Sequence, residues 1–427
     1  MDFIISPSSL SGSIIPPPSK SQTLRAIIFA MMGKGKSEIE NFLDSSDTTA
    51  MINALHSFGI KIEKAKDKLI IEGQNSHLNA PDNIIDIGNS GICFRFLSGI
   101  AALLPFYTII TGDDSIRHQR PMKPLLEALL KMNVFAVSAK LDGFGPVIIK
   151  GPLYPGKKTY LLGEDSQHVS ALLIACAFLK GSSEIFVEKP KETPWIDLTL
   201  SWFDNFKIKY QNDDYKHYII YGNSSYKGFN YKVKADLSNI AYPLIAAIIT
   251  NSEITIDNID FDDPQGDKKL IDVLIKMGAN IKVHKLRKSI TVYQDHHLKG
   301  LDIDVNPFID ALPILAVLGC FAEGKTTLYN AEVARTKESD RLFAITHELK
   351  KMKAHITEKK DSLIIEKSKL KSSTVSSHKD HRIAMSLSVA ALAATGSSCI
   401  KDIDCINKTY PSFLKDFQSI NANIKSV

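Results

Sequence analysis

Residues 16–25 read PPPSKSQTLR, and the apolar run AIIFAMM follows at once. Two cations, Lys20 and Arg25, and several hydroxyls therefore stand at the mouth of an apolar helix. Capping by Ser19 or Ser21 after a proline stop, with Arg25 solvated, is the plain explanation. Anion binding is the chemical one: a helix start carries unpaired N–H groups and a partial positive charge, to which cationic and hydroxyl donors are added. The same choice recurs along the chain. TGDDSIRHQRPM sets Arg117 and Arg120 before a proline-led helix, and arginine matches carboxylate or phosphate with two parallel hydrogen bonds. VARTKESDRLF sets Lys337, Glu338 and Arg341 at the start of an amphipathic helix, where an ordinary charged first turn competes with a functional reading. NPFIDALPILAV places Asp310 before an apolar helix, either as an N-cap or as one of two carboxylates doing general acid–base work near cations. HKDHRIAM puts Asp380, His381 and Arg382 at another helix start. One histidine beside one aspartate is too small a ligand set for a metal ion, so no metal is expected.

These residues fall into an internal repeat. Six times a polar turn precedes a short Ala/Ile/Leu-rich helix, a polar break and a β-branched strand. The corresponding polar residues are Lys20, Asn89, Ser166, Ser238, Asp310 and His381, spaced by 69, 77, 72, 72 and 71 residues. A period near 72 exceeds that of ordinary solenoids, so each unit has room for several strands and two helices. DTTAMINALHSFGI, KPLLEALLKMN, DLTLSWFDNF, DKKLIDVLIKMGA and LFAITHELKKM supply candidates for the second helix. Each first helix is apolar nearly all round and is expected to be buried in its own domain. Side by side, such helices can bring their polar starts to one surface.

The totals allow two large domains or a repeated architecture. A chain of 427 residues is too long for one core. The formal charge is +5, which suits small anions as well as a polyanion, and the basic residues are scattered rather than gathered in one block. The five cysteines form no C-x-x-C pair, and three lie in apolar runs, as free thiols in a reducing compartment do. MDFIISPSSLSG lacks the features of a signal peptide, and no apolar run reaches membrane-spanning length. A cytoplasmic chain is expected, without membrane or nucleic-acid partner, and monomeric. One decoy is set aside. GCFAEGKT, residues 319–326, fits the P-loop pattern G-x-x-x-x-G-K-S/T, but an apolar helix precedes it and a strand follows, the reverse of the order that motif needs.

Taken together, PSKSQTLR, GNSGICFR, GDDSIRHQRPM, DSQHVSALL, FIDALPILAV, TKESDR, KDHRIAM and NKTYPSF resemble the EPSP synthase (3-phosphoshikimate 1-carboxyvinyltransferase) family of enolpyruvyl transferases. The resemblance spans nearly the whole chain and implies a two-domain inside-out α/β fold, each domain three βαβαββ repeats around buried parallel helices. Residues 1–18 and 235–427 would form one discontinuous domain and 19–234 the other, closing over substrates between them. The activity implied is transfer of the enolpyruvyl group of phosphoenolpyruvate to the 5-hydroxyl of shikimate 3-phosphate. It proceeds by addition and then elimination of phosphate, with neither metal nor organic cofactor. By the same resemblance Lys20, Arg120, Arg341, Arg382 and Lys408 hold phosphoenolpyruvate, with Gly91 and Gln167. Lys20, Ser21, Arg25, Ser166, Gln167, Asp310 and Lys337 hold shikimate 3-phosphate, with Trp195 packed on its ring. Asp310 and Glu338 are the acid–base pair, with Lys20 beside them among the catalytic residues.

The chain departs from the family at a few positions. Asp165 stands where a serine is usual in SSQ, and Glu192 stands near a further phosphate-binding serine. Carboxylates there would repel a dianion, so they are expected to turn away, to be offset by Lys189 or Lys191, or to signal an altered substrate. Ile92 and Phe96 are bulkier than usual, which is expected to crowd the phosphoenolpyruvate pocket and weaken inhibition by glyphosate. Two alternatives are a UDP-N-acetylglucosamine enolpyruvyl transferase and a phosphate-ligand or RNA-binding relative of the RNA 3′-phosphate cyclases. The first commonly has a reactive cysteine in a stretch that here, GDDSIRHQRPM, has none.

Overall fold

A computed structural model describes all residues, Met1–Val427. The chain divides into two compact units, one made of Met1–Pro18 with Lys234–Val427 and the other of Ser19–Val233. Each contains three four-stranded sheets.

The repeat is a βαβαββ unit. In its plainest copy Ile85–Asp86 pairs in parallel with Thr108–Thr111, and the helix Gly91–Ala101 connects them. After the helix Lys123–Lys131, Phe135–Ser138 and Val147–Lys150 form an antiparallel pair, and Val147–Lys150 adds to Thr108–Thr111. Burial alternates along Thr108–Thr111, as it must when one sheet face meets helices and the other meets water. Every sheet repeats this order of one parallel pair and two antiparallel ones. In each unit a distant piece of chain completes a repeat. Asn230–Lys232 opens the sheet begun at Lys34–Glu40. At the N-terminus, Phe3–Ser6 closes the last repeat beside Ser398–Lys401 and Asn423–Ser426, while Ser11–Ile14 opens another beside Glu253–Ile256.

The six first helices are Lys20–Met32, Gly91–Ala101, Ser166–Ala177, Ala241–Ile249, Leu312–Gly319 and His381–Leu392. Every residue of Gly91–Ala101 and of His381–Leu392 is buried, so the apolar sequence has no solvent face to offer. Such helices must meet backbone to backbone. A Cβ on Gly99 would lie 2.6 Å from the carbonyl oxygen of Ala171 on the helix Ser166–Ala177; only glycine permits that approach. Second helices form at Ser46–Ser57, Lys123–Lys131, Thr193–Asn205, Lys269–Lys276 and Arg341–Lys351. A sixth, Phe413–Ser419, went unread in YPSFLKDFQS because two turns are too few to show a 3.6-residue period. The P-loop lookalike is a helix-to-strand turn between Leu312–Gly319 and Lys325–Tyr329. All five cysteines are free, and no helix is long and apolar enough to cross a membrane.

Candidate functional site

The unit of Met1–Pro18 and Lys234–Val427 gathers a buried ionic lattice at three helix starts. Arg341 is its hub. This residue opens the helix Arg341–Lys351 and is 1% exposed. Its Nη1 donates to Asp310 Oδ1 at 2.6 Å, its Nη2 to Glu338 Oε2 at 2.9 Å and its Nε to Asp380 Oδ2 at 2.8 Å. Glu338 turns its other oxygen to Lys408 Nζ at 2.8 Å. Arg382, also buried, donates from Nη2 to Asp310 Oδ2 at 2.9 Å and to Ser238 Oγ at 2.7 Å, and from Nη1 to Asn239 Oδ1 at 3.2 Å. Asp380 caps its own helix by accepting from Arg382 N at 2.8 Å.

Asp310 is not an N-cap. It sits in the 3-10 turn Asn306–Ala311, and the helix that follows has no side-chain cap. Its carboxylate is instead held between two guanidinium groups. Burial would raise its pKa, but Arg382, Arg341 and Lys337 together hold it far below the usual carboxylate range. The Arg341 and Arg382 guanidiniums, burial notwithstanding, are pushed up by the carboxylates around them. Lys337 and Glu338 precede their helix rather than forming its first turn. Glu338, Asp380 and His381 bring potential metal-ligand atoms within 4.8 Å of one another. Both carboxylates, however, already face Arg341, and Glu338 faces Lys408 as well, so fixed cations fill the role a metal would take. Asp267 is a buried neighbour that sequence reading passed over. Its carboxyl is pushed well above the ordinary range, by burial first and then by Asp310 and Asp236.

The unit of Ser19–Val233 carries the other candidates. Ser19, not Ser21, caps Lys20–Met32 by accepting from Gln22 N. Lys20 lies 3.5 Å from Asp47 Oδ2. Arg25 is buried rather than solvated. Its Nε donates to Thr199 Oγ1 at 3.0 Å, its Nη1 to Ser21 O at 3.2 Å and its Nη2 to Trp195 O at 3.0 Å, while its guanidinium lies 5.2 Å from the Phe96 ring centroid. All four partners are neutral. Burial lowers its pKa to about 9, so at neutral pH the cation remains, with its desolvation uncompensated by any carboxylate. Phe96 is fully buried beneath it and Ile92 is buried in the same helix.

Gly91 opens its helix because Arg120 lies against it. A Cβ there would stand 2.1 Å from Arg120 Nη1 and 3.0 Å from Arg95 Nη1. Arg117 donates to Gly112 O. Arg95 is a residue the sequence reading missed, although an arginine inside the apolar run GICFRFLSG was the available signal. It donates from Nη1 to Gly91 O at 3.3 Å and from Nη2 to Pro121 O at 3.0 Å, and lies 3.6 Å from Asp165 Oδ2. It therefore ties three of the segments that carry candidates.

The two unexpected carboxylates both meet the start of the helix Ser166–Ala177. Asp165 is the N-cap of Ser166–Ala177, accepting from Gln167 N at 2.9 Å, with Arg95 as its cation. Glu192 is 1% exposed and accepts from Ser166 N at 3.2 Å and Ser166 Oγ at 3.1 Å. Lys189 pairs with Glu164 at the surface, 3.9 Å away. A helix start rewards any carboxylate that reaches it, and these two reach it from within the chain. Trp195, half-buried, lies in the first turn of the helix Thr193–Asn205 that follows Glu192.

Two units of three βαβαββ repeats, each with cations and acids gathered at helix starts, define a two-domain α/β class of protein with the charges to hold small anions. Two solved EPSP synthases from Acinetobacter baumannii share the fold, with TM-scores of 0.84 and 0.83 and identities of 28% and 27%; the first alignment covers 99% of both chains and the second all of both. The chain is 43% identical to the 3-phosphoshikimate 1-carboxyvinyltransferase of Chlamydia caviae, over 100% of this chain and 95% of that one, and 42% identical to that of Methanocaldococcus jannaschii, over 97% of each. Residues 4–417 match the family EPSP synthase (3-phosphoshikimate 1-carboxyvinyltransferase), and the chain belongs to that family. Its activity is that of a 3-phosphoshikimate 1-carboxyvinyltransferase of the shikimate pathway, with phosphoenolpyruvate and shikimate 3-phosphate as substrates.

Proposed function

We propose that both units contribute residues to this transfer and that their helix starts divide the work. Asp310 stands at the centre of the reading, because it is held ionised between Arg341 and Arg382 in the same lattice as Glu338. A carboxylate so deeply stabilised accepts hydrogen bonds and does not donate them at neutral pH. Asp310 therefore receives the 5-hydroxyl of shikimate 3-phosphate and orients it for attack. Glu338, shared between Arg341 and Lys408, exchanges the proton at the methylene carbon. In the addition the 5-hydroxyl oxygen bonds to the carbon that bears phosphate while its proton passes through Glu338 to the methylene carbon, giving a tetrahedral adduct. In the elimination one methyl proton returns to Glu338, the carbon–oxygen bond to phosphate breaks, and phosphate leaves with that proton. Arg341, Arg382 and Lys408 then offset the negative charge of phosphoenolpyruvate, with Lys20, Arg120, Gly91 and Gln167 from the other unit. Gly91 acts by letting Arg120 close on the backbone.

Shikimate 3-phosphate falls to Lys20, Ser21, Arg25, Ser166, Gln167 and Trp195, with Lys337 and Asp310. Arg25 supports this part of the reading: a buried cation touching only neutral groups gains most when an anion arrives. Phe96, packed beneath that arginine, acts through it. The reaction as proposed uses neither metal nor organic cofactor, and we propose a cytoplasmic monomer without nucleic-acid or membrane partner.

Calorimetric titration of shikimate 3-phosphate into the Arg25→Met variant tests the assignment. Loss of a desolvated charge pair is expected to weaken binding by roughly 100-fold or more. Unchanged affinity in a folded variant would remove Arg25 from the site.

A further inference from the structure

Donors at the start of the helix Ser166–Ala177 are already in use by the chain itself. Ser166 N and Ser166 Oγ both donate to Glu192 Oε2, at 3.2 and 3.1 Å, and Gln167 N donates to Asp165. The Glu192 side chain is buried at 1% exposure, and its backbone is in the left-handed region, φ 52° and ψ 35°. That conformation is uncommon for a residue with a long side chain. Three residues on, Trp195 O accepts from the buried Arg25. One corner thus holds a cation with neutral partners and, close by in sequence, a carboxylate seated on anion-binding donors.

We infer that Glu192 is a built-in competitor for the anionic group of shikimate 3-phosphate, and that it sets this chain's affinity for that substrate. The inference rests on the reading that Ser166 meets shikimate 3-phosphate. An incoming phosphate must either take Ser166 from Glu192 or bind beside it. Both routes cost affinity: the first spends two charge-assisted hydrogen bonds, and the second sets like charges together in a poorly hydrated place. Glu192 O accepts from Trp195 N at 3.0 Å, which anchors the backbone in the helix start. Only the side chain has to rotate away.

Steady-state kinetics on Glu192→Asn and Glu192→Gln test this. Asparagine suits the left-handed backbone and is too short to cover Ser166; glutamine keeps the packing and removes only the charge. The KM for shikimate 3-phosphate is expected to fall by about tenfold or more in the asparagine variant and by less in the glutamine variant, with the change in KM rather than kcat and the KM for phosphoenolpyruvate unmoved. Adding Ser166→Ala to the asparagine variant should raise the KM again. If neither neutral variant lowers the KM while Ser166→Ala raises it, the competitor role is wrong and the Ser166 assignment stands. If Ser166→Ala changes nothing in any background, the assignment itself fails and the inference falls with it. Should the asparagine variant not fold, the glutamine variant decides alone.

Discussion

Replacing Asp310 with asparagine lowers kcat for phosphate release by roughly 10³-fold, the scale of a lost general acid–base or hydroxyl-orienting group. Asparagine keeps the volume of the side chain and removes the charge that Arg341 and Arg382 enclose. The expected loss therefore lies in turnover, with shikimate 3-phosphate binding much less affected. Alanine at the same position should do at least as much harm. The pH dependence follows from the same contacts. The folded pKa of Asp310 lies far below its unfolded value, so its ionised form is lost only as pH falls through that depressed value. The stability its ion pairs contribute follows the same course, being complete above the unfolded pKa. The acid limb of the pH–rate profile above pH ~4 should then belong to another group, and should persist in the asparagine variant's residual rate. An asparagine variant that keeps a tenth or more of kcat would rule out the proposed role.

Removing Arg341 should have the largest effect on stability. Asp310, Glu338 and Asp380 all face its guanidinium, and Asp380 is wholly buried. In Arg341→Met those charges remain together without their common partner. Breaking a buried ion pair from one side costs about 3–5 kcal/mol. For a unit of about 200 residues, the melting temperature should fall by roughly 10 °C at pH 7, with activity lost. The deficit should narrow as pH falls toward ~4, because protonation among three acids that have lost their common cation reduces the repulsion between them. Arg341→Lys should recover part of the stability, since an ammonium restores charge but does not reach three acids in a planar fork. Equal melting of Arg341→Met and wild type would mean that the lattice contributes nothing to the fold.

Much of this was legible in the sequence because the repeat marked itself twice, by apolar helix and by polar start. Lys20, Asn89, Ser166, Ser238, Asp310 and His381 could be placed at or near helix starts from the spacing alone. The partners could not. That Asp310 joins Arg341 to Arg382 rather than capping its helix depends on contacts spanning 31 and 72 residues, which no local pattern carries. Arg25 allows two local readings, a solvated side chain or an anion ligand, because its burial arises from Thr199 and Trp195, about 170 residues on. Arg95 hid within a helix whose apolar neighbours announced core. Glu192 was noticed as a misfit. Its seat on Ser166 was invisible, because it depends on a turn folding back over 26 residues.

The account is tested most directly by phosphate release from the purified chain supplied with phosphoenolpyruvate, with shikimate 3-phosphate, and with both. Release should appear only with both present, in step with a product joining the enolpyruvyl group to the 5-hydroxyl. Release from phosphoenolpyruvate alone at the same rate, or none with the two together, would contradict it.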